Sequence, residues 1–210
     1  MRLALAMAGV MGFVPTAFGQ AQDRVVLGPL AIDRTEVTIA AFGRFLAARG
    51  QRTTAEESGG GFEFEGGWVR QPGWTYLAPS GTPGAPGDPA VHVTWVEARD
   101  YCAFVGGRLP TAAEWRQAAY TEMRETPPSG YERGRTYAFP VGDDPAGMNL
   151  STGDAWPRHA PAGVTRQGVN GLYDMGGNVW EWLADRRGGE ALTAGGSWWY
   201  GADQTRAASM

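Results

Sequence analysis

Hydrophobic and polar positions follow two different periods along the first fifty residues. Short apolar runs at 25–27 and 30–32, separated by the Gly28-Pro29 turn, predict two strands of a hairpin. From Glu36 to Arg49 apolar residues recur at helical spacing, which predicts an amphipathic helix. The chain therefore opens as a mixture of strand and helix.

Two further helices are predicted by their N-terminal signals. Thr94 and Thr111 each precede an apolar pattern and are followed three residues later by a glutamate, Glu97 and Glu114. That spacing is typical of a capping box, in which each side chain bonds the other residue's backbone N–H. Gly106-Gly107 marks the end of the first of these helices.

The segment 51–89 is rich in Gly, Pro, Ser and Glu but also carries five aromatic residues. Disordered linkers are poor in aromatic residues, so an ordered excursion with one or two hairpins is expected. Beyond residue 126 the pattern predicts turns and short strands. The five aromatic residues are Phe62, Phe64, Trp68, Trp74 and Tyr76.

The composition indicates that the chain forms a single, loop-rich domain. The 210 residues include 32 Gly, 14 Pro and 9 Trp, which favours many turns and a core rich in aromatic side chains. The net charge of −4 gives no electrostatic reason to expect nucleic acid or an anionic membrane as a partner.

Residues 1–19 have the pattern of a signal peptide. Arg2 precedes an apolar run from Leu3 to Val14, and a small-x-small cleavage pattern ends at Gly19. The run is too short for a stable transmembrane span; a buried N-terminal helix is the alternative. The mature chain is expected to begin near Gln20, in a periplasm or outside the cell. Its one cysteine, Cys102, excludes an intramolecular disulfide.

Four blocks, in order, resemble motifs of the formylglycine-generating enzymes, the sulfatase-modifying factor family. They span residues 25–208 of this sequence. The blocks are IDRTEVT at 32–38, VHVTW with ARDYC and GRLPTAAEW at 91–115, GLYDMGGNVWEW at 171–182, and GGSW with a following arginine at 195–206.

The resemblance implies an α+β, C-type-lectin-like fold of the formylglycine-generating-enzyme type. Such a fold is loop-rich, with small twisted antiparallel sheets and a few helices, and it would occupy residues 20–210. The family continues past the final arginine block into a closing strand that is missing here. The sequence is therefore expected to be truncated, because an open sheet edge would remain; a domain that closes differently is the alternative.

The resemblance also implies structural calcium. Hard oxygen ligands on a tight, glycine-containing loop suit Ca²⁺, and the family binds it in the stretch that corresponds to 174–181. One set of ligands comprises the Asp174 and Glu181 side chains with the Gly177 and Val179 carbonyls. The second comprises the Asn149 and Asp154 side chains with the Leu150 and Trp156 carbonyls. Ordinary turn capping is the alternative for Asn149 and Asp154.

The catalytic cysteines of the family are not present. The family holds Cu(I) between two cysteines after GGSW, and these positions correspond to Tyr200 and to Gln204 or Thr205. Cu(I) prefers thiolates, so copper is not expected. Trp180 and Ser197 match residues of the family's oxygen pocket and are expected to serve in packing and turns.

Three functions follow from these features. A binding or accessory module of the cell envelope, for a peptide, protein or small molecule, is favoured by the missing cysteines. A tailoring enzyme of the family's cysteine-less branch and a thiol oxidase are the alternatives. A binding module should place aromatic side chains along an open groove, and the candidates are Trp68, Trp74, Trp198, Trp199 and Tyr200. His92 is predicted to lie in a strand or core, His159 on the surface, and Cys102 as a buried thiol.

Overall fold

The computed structural model describes residues 4–6 and 23–209, and it combines short antiparallel sheets with four helices. The strands are β1 (Ala4–Ala6), β2 (Arg24–Leu27), β3 (Leu30–Asp33), β4 (Gly60–Phe64), β5 (Trp68–Pro72), β6 (Glu181–Arg187) and β7 (Glu190–Ala194). The helices are α1 (Ile39–Arg49), α2 (Thr54–Glu57), α3 (Trp95–Phe104) and α4 (Ala112–Tyr120). Short 3₁₀ helices cover Val169–Gly171 and Ala202–Thr205.

The first sheet has the strand order β1-β3-β2, with both pairs antiparallel. All four residues of β3 are buried, and the hairpin register pairs Leu27 with Leu30 across the predicted turn. The two predicted strands are therefore confirmed. The signal-peptide prediction concerns residues 1–19, of which only the backbone of 4–6 lies within the described part, and it stays a prediction.

Helix α1 begins three residues after the predicted start at Glu36. Thr38 caps it, with its side chain accepting a hydrogen bond from the Ala41 N–H, and Gly50 ends it in the left-handed conformation. A glutamate before an apolar period looks like a first-turn residue in sequence. Glu36 is instead outside the helix and 2% exposed, because its carboxylate bonds groups of the 178–179 segment.

Both predicted capping boxes are confirmed, at Thr94 with Glu97 and at Thr111 with Glu114. A third, at Thr53 with Glu56, caps the one-turn helix α2 and was not predicted. The Arg108 guanidinium, 2.6 Å from the Glu114 carboxylate, holds the pKa of that carboxyl at about 2.

The core is rich in aromatic residues, as the composition predicts. In one cluster Phe42 and Phe45 of α1 pack against Tyr101 of α3, with ring centroids 5.7 Å apart in both pairs. Cys102 is buried in the same cluster, and burial raises the pKa of its thiol. The buried thiol predicted from sequence is confirmed.

The excursion after α1 contains the predicted hairpin. Strands β4 and β5 pair in a register that places Phe64 opposite Trp68 at the turn. A second hairpin, β6–β7, carries a register irregularity between Trp182 and Arg186. Among the described residues no helix has the length and apolar character needed to cross a membrane.

Candidate functional site

The β4–β5 hairpin forms one wall of an open groove of about 290 Å³. Residues 197–200 also line it, together with residues 90–93, 158–159, 178–180 and Trp182. All five aromatic residues proposed from the sequence line it: Trp68, Trp74, Trp198, Trp199 and Tyr200. Segments far apart in sequence thus converge on a single aromatic surface.

Several of these rings face solvent. Trp68 is 74% exposed and Trp199 is 55% exposed, while Trp74, Trp198 and Tyr200 are half-buried. Exposed aromatic side chains around a concave surface are unusual on a monomeric protein and are typical of a binding site. The groove therefore has the shape and surface chemistry of a ligand site.

Arg158 is the polar centre of the groove and was not singled out from the sequence. Its guanidinium carbon lies 5.1 Å from the Trp74 ring centroid and 5.2 Å from that of Trp198. Its Nη1 donates to Glu63 Oε1 at 2.8 Å, which ties β4 to the segment around Arg158. No local pattern identifies this residue, because its partners Glu63, Trp74 and Trp198 all lie far from it in the sequence.

The predictions for both histidines are wrong. His92 has a φ of +54° rather than a strand conformation, and its Nε2 lies 2.9 Å from the Pro79 carbonyl oxygen. His159 is half-buried rather than on the surface, and both rings line the groove. Burial lowers the pKa of each imidazole below its usual 6.5, so both rings are neutral at pH 7.

The positions that the sequence resemblance assigns to the family's cysteines, Tyr200 and Gln204 or Thr205, carry oxygen-containing side chains. The Tyr200 ring contacts Trp180 edge-on, with centroids 5.5 Å apart. Thr205 is fully buried, and its hydroxyl donates to the Ala202 carbonyl at 2.8 Å. Ser197 is also buried, and its carbonyl accepts the Tyr200 N–H at 3.0 Å. A phenol and a hydroxyl do not provide the thiolates that Cu(I) prefers.

The carboxylates of the first predicted calcium site bond different parts of the fold. Asp174, at a φ of +57°, accepts from the Gly163 N–H at 2.7 Å and from the Thr165 hydroxyl. Glu181 is fully buried and accepts from the Trp115 indole N–H. Within the described part no three His, Cys, Asp or Glu side chains cluster as a metal site, so a cation here would need carbonyl or amide oxygens in addition to one or two carboxylates.

The second predicted calcium site contains an unsatisfied oxygen. The Nδ2 of Asn149 donates to the Arg158 carbonyl and to Asn178 Oδ1, both at 2.9 Å, but its buried Oδ1 has no partner among the described residues. Asp154 accepts from the N–H groups of Leu150 at 2.7 Å and Trp156 at 2.9 Å. A buried carbonyl-type oxygen without a donor is costly, and it fits a hard cation.

Asn178 connects the two predicted sites to the N-terminal part of the chain. Its Nδ2 donates to Glu36 Oε2 at 2.6 Å and to the Ala160 carbonyl at 3.2 Å. Its Oδ1 accepts from the Ala160 N–H at 2.7 Å as well as from Asn149. The backbone N–H of Val179 also bonds Glu36, at 3.3 Å.

Gly177 allows the close approach that this network needs. Its φ is +77°, and a Cβ at this position would lie 2.2 Å from the Asn149 carbonyl oxygen. That oxygen accepts the Asn178 N–H at 2.9 Å. The glycine of the predicted calcium loop is thus required by packing as well as by backbone conformation.

The family model for the sulfatase-modifying factor enzyme 1-like domain matches residues 7–210 of the chain. The chain belongs to this family. The membership follows from a match over nearly the whole sequence, and it confirms the resemblance found in the four sequence blocks.

Curated relatives of this family include enzymes and a protein named as inactive. The chain is 36% identical over 208 residues to the formylglycine-generating enzyme of Thermomonospora curvata, covering 81% of this chain and 66% of the relative. It is 33% identical over 192 residues to that of Streptomyces coelicolor, covering 77% and 59%. It is 32% identical over 197 residues to the inactive C-alpha-formylglycine-generating enzyme 2 of Bos taurus, covering 77% and 62%. The chain thus spans about three fifths of the length of these relatives.

Solved structures of the family establish the fold. CarF superposes with a TM-score of 0.54 at 22% identity, covering 98% of this chain and 89% of its own. PvdO from Pseudomonas aeruginosa gives a TM-score of 0.58 at 22% identity, covering 88% and 75%. The α+β fold of the formylglycine-generating-enzyme type is confirmed.

Proposed function

We propose that this chain is a binding or accessory module of the cell envelope that lacks thiol-oxidase activity. The observation that supports it is the absence of thiols where the family is expected to have its cysteines: Tyr200 lies among aromatic side chains of the groove, and the second position is Gln204 or Thr205. The only cysteine, Cys102, is buried in a different cluster, and its raised pKa disfavours the reactive thiolate. The partner is a peptide, protein or small molecule held by the groove.

The purified protein is expected not to convert a peptide cysteine to formylglycine. Family oxidation requires Cu(I) between two thiolates, and Tyr200 and Thr205 supply none. The measurement is the mass of a cysteine-containing peptide after incubation with Cu(I), oxygen and a reductant. The Thermomonospora curvata enzyme, run in parallel, is the positive control.

The double variant Tyr200→Cys with Thr205→Cys separates a missing metal site from an altered fold. It is expected to bind Cu(I) where the wild type does not, and each single variant is its matched control. Loss of the thiol to an aldehyde by the wild-type chain would overturn the proposal. It would mean that residues outside this segment hold the metal.

A tailoring enzyme is the second candidate, and the two groove histidines favour it. His92 and His159 are neutral at pH 7 because burial lowers their pKa, and a neutral imidazole can accept a proton. The two functions differ in the fate of a bound molecule. A binding module releases it unchanged, whereas an enzyme releases a product of different mass.

We also propose that the chain is exported to a periplasm or secreted. The support is the apolar run at 3–14 followed by the small-x-small pattern at 17–19. Mass spectrometry of the native protein is expected to find an N-terminus near Gln20. Recovery of the intact form beginning at Met1 from the cytoplasm would rule export out.

Structural calcium completes the proposal. The unpartnered Asn149 Oδ1 and the Asp154 carboxylate would hold one ion with the Leu150 and Trp156 carbonyls. Asp174 and Glu181, with the Gly177 and Val179 carbonyls, would hold the other. When bound, such an ion replaces the cross-link that a single-cysteine exported domain cannot form.

A further inference from the structure

We propose that the groove binds an uncharged oligosaccharide, with the Glu63–Arg158 pair bonding the hydroxyls of one sugar residue and the exposed tryptophans packing against the ring faces of neighbouring residues. This inference rests on the proposed binding function and assigns its ligand class. Four observations carry it: the charge of the groove, the hydrogen-bonding state of its polar centre, the placement of that centre, and the exposed rings.

The charge of the groove excludes strongly ionic ligands. Among the described residues that line it, Glu63 and Arg158 are the charged pair, one of each sign and 2.8 Å apart. A cationic ligand would meet the Arg158 charge and would find the Trp74 and Trp198 faces already occupied by the guanidinium. An anionic ligand would have to compete with Glu63 for Arg158. An uncharged ligand meets neither obstacle.

The polar centre has hydrogen-bond donors and an acceptor that are not used within the protein. Arg158 has five N–H groups, and within the described chain its guanidinium makes a single hydrogen bond, from Nη1 to Glu63 Oε1. The other carboxylate oxygen, Oε2, accepts no hydrogen bond there. The Arg158 side chain is 39% exposed and the Glu63 side chain 20% exposed, so the guanidinium is open to a ligand and the carboxylate is partly open. A purely apolar ligand would bury them without partners, which is unfavourable.

Hydroxyl groups match this arrangement because each one donates and accepts. Two neighbouring hydroxyls on a ring can accept from Arg158 and donate to Glu63 at the same time. An extended peptide, in contrast, carries an amide at every residue and needs a row of backbone partners along its length. The spare polar atoms of Glu63 and Arg158 lie together at one point of the groove, which favours the sugar.

The exposed rings supply the apolar half of the contact. A sugar ring presents C–H groups on its faces, and these pack against flat aromatic surfaces. Trp68, on β5, and Trp199 are the most exposed tryptophans of the groove. In this proposal they contact sugar residues next to the one bonded at the polar centre.

The test uses two soluble uncharged probes, cellohexaose and chitohexaose, titrated into the full chain. Intrinsic tryptophan fluorescence and calorimetry are expected to show saturable binding of at least one of them. Glu63→Gln and Arg158→Gln are expected to weaken it about tenfold each, since each removes a charge-assisted hydrogen bond. Trp199→Ala should weaken it by a similar factor, whereas Val164→Ala, an exposed side chain outside the groove, should not change it.

A neutral aromatic probe, N-phenyl-1-naphthylamine, separates this inference from the proposed function. If that probe binds and Trp199→Ala reduces its binding, but neither hexasaccharide binds at millimolar concentration, the sugar assignment is wrong and groove binding stands. If no probe binds, both are wrong. Tighter binding of an uncharged, capped peptide than of either hexasaccharide would also overturn the sugar assignment. Thermal melting of each variant confirms that it is folded.

Discussion

Replacement of Asn178 by alanine is expected to lower the free energy of unfolding by about 4 kcal/mol. The side chain is fully buried and makes four hydrogen bonds, with Glu36, Asn149 and both backbone groups of Ala160. Each buried polar group that loses its partner costs roughly 1–3 kcal/mol. Alanine at a φ of +52° adds backbone strain to this loss. Urea denaturation with a two-state fit measures the difference.

Two controls divide that effect into its parts. Asn178→Gly removes the amide side chain, but glycine adopts the positive φ without strain. The free energy of unfolding of Asn178→Gly is expected to exceed that of Asn178→Ala by about 1 kcal/mol, which is the backbone contribution. Gln204→Ala changes an exposed side chain and is expected to alter stability by less than about 0.5 kcal/mol. A cost below about 1 kcal/mol for Asn178→Ala would contradict a connecting role for this residue.

The same network shows what the sequence could and could not predict. The capping boxes at Thr94 and Thr111 were predictable because both partners lie within four residues, where spacing alone fixes the geometry. The bond from Glu36 to Asn178 joins residues 142 positions apart. Thr38, a residue type that favours the N-cap position, was a local signal for the later helix start, but nothing in the local pattern shows that Glu36 bonds Asn178. The helix start was therefore placed too early.

The aromatic residues of the groove could be predicted from the sequence, whereas Arg158 at its centre and the conformation of His92 could not. The aromatic residues near 68, 74 and 198 are conspicuous in a sequence, and all of them line the groove. His92 follows an apolar residue and precedes another, which favours a strand. In the structure its φ is positive and its ring lies against Gly61, where a Cβ would come within 2.2 Å of the imidazole. Such contacts arise from tertiary packing and leave no trace in local periodicity.

Calcium is expected to stabilise the fold through the proposed sites, and this is the second large effect that can be tested. A ligand that binds only the native state stabilises it by RT ln(1 + [L]/Kd), about 2.7 kcal/mol at a hundredfold excess over Kd. For a chain of this size that corresponds to a rise in Tm of roughly 5–10 °C. Thermal melting in excess calcium is therefore expected to occur several degrees higher than in a chelator. Magnesium at equal concentration tests whether the larger, more flexible oxygen shell of calcium is required.

Variants at each site show which residues carry the response. Glu181→Ala is expected to remove the stabilisation by calcium bound at the 174–181 loop. Asn149→Ala is expected to remove the stabilisation by calcium bound at the site that contains Asp154. Each substitution also destabilises the protein in chelator, because Glu181 and Asn149 are buried and hydrogen-bonded. The quantity to compare between variants is therefore the difference between the Tm in calcium and the Tm in chelator. Asp143→Ala removes an exposed carboxylate paired with Arg135 and should leave that difference intact. Identical melting curves for the wild type in calcium and in chelator would refute both sites. The unpartnered Asn149 Oδ1 would then need a water or another donor to offset the cost of its burial.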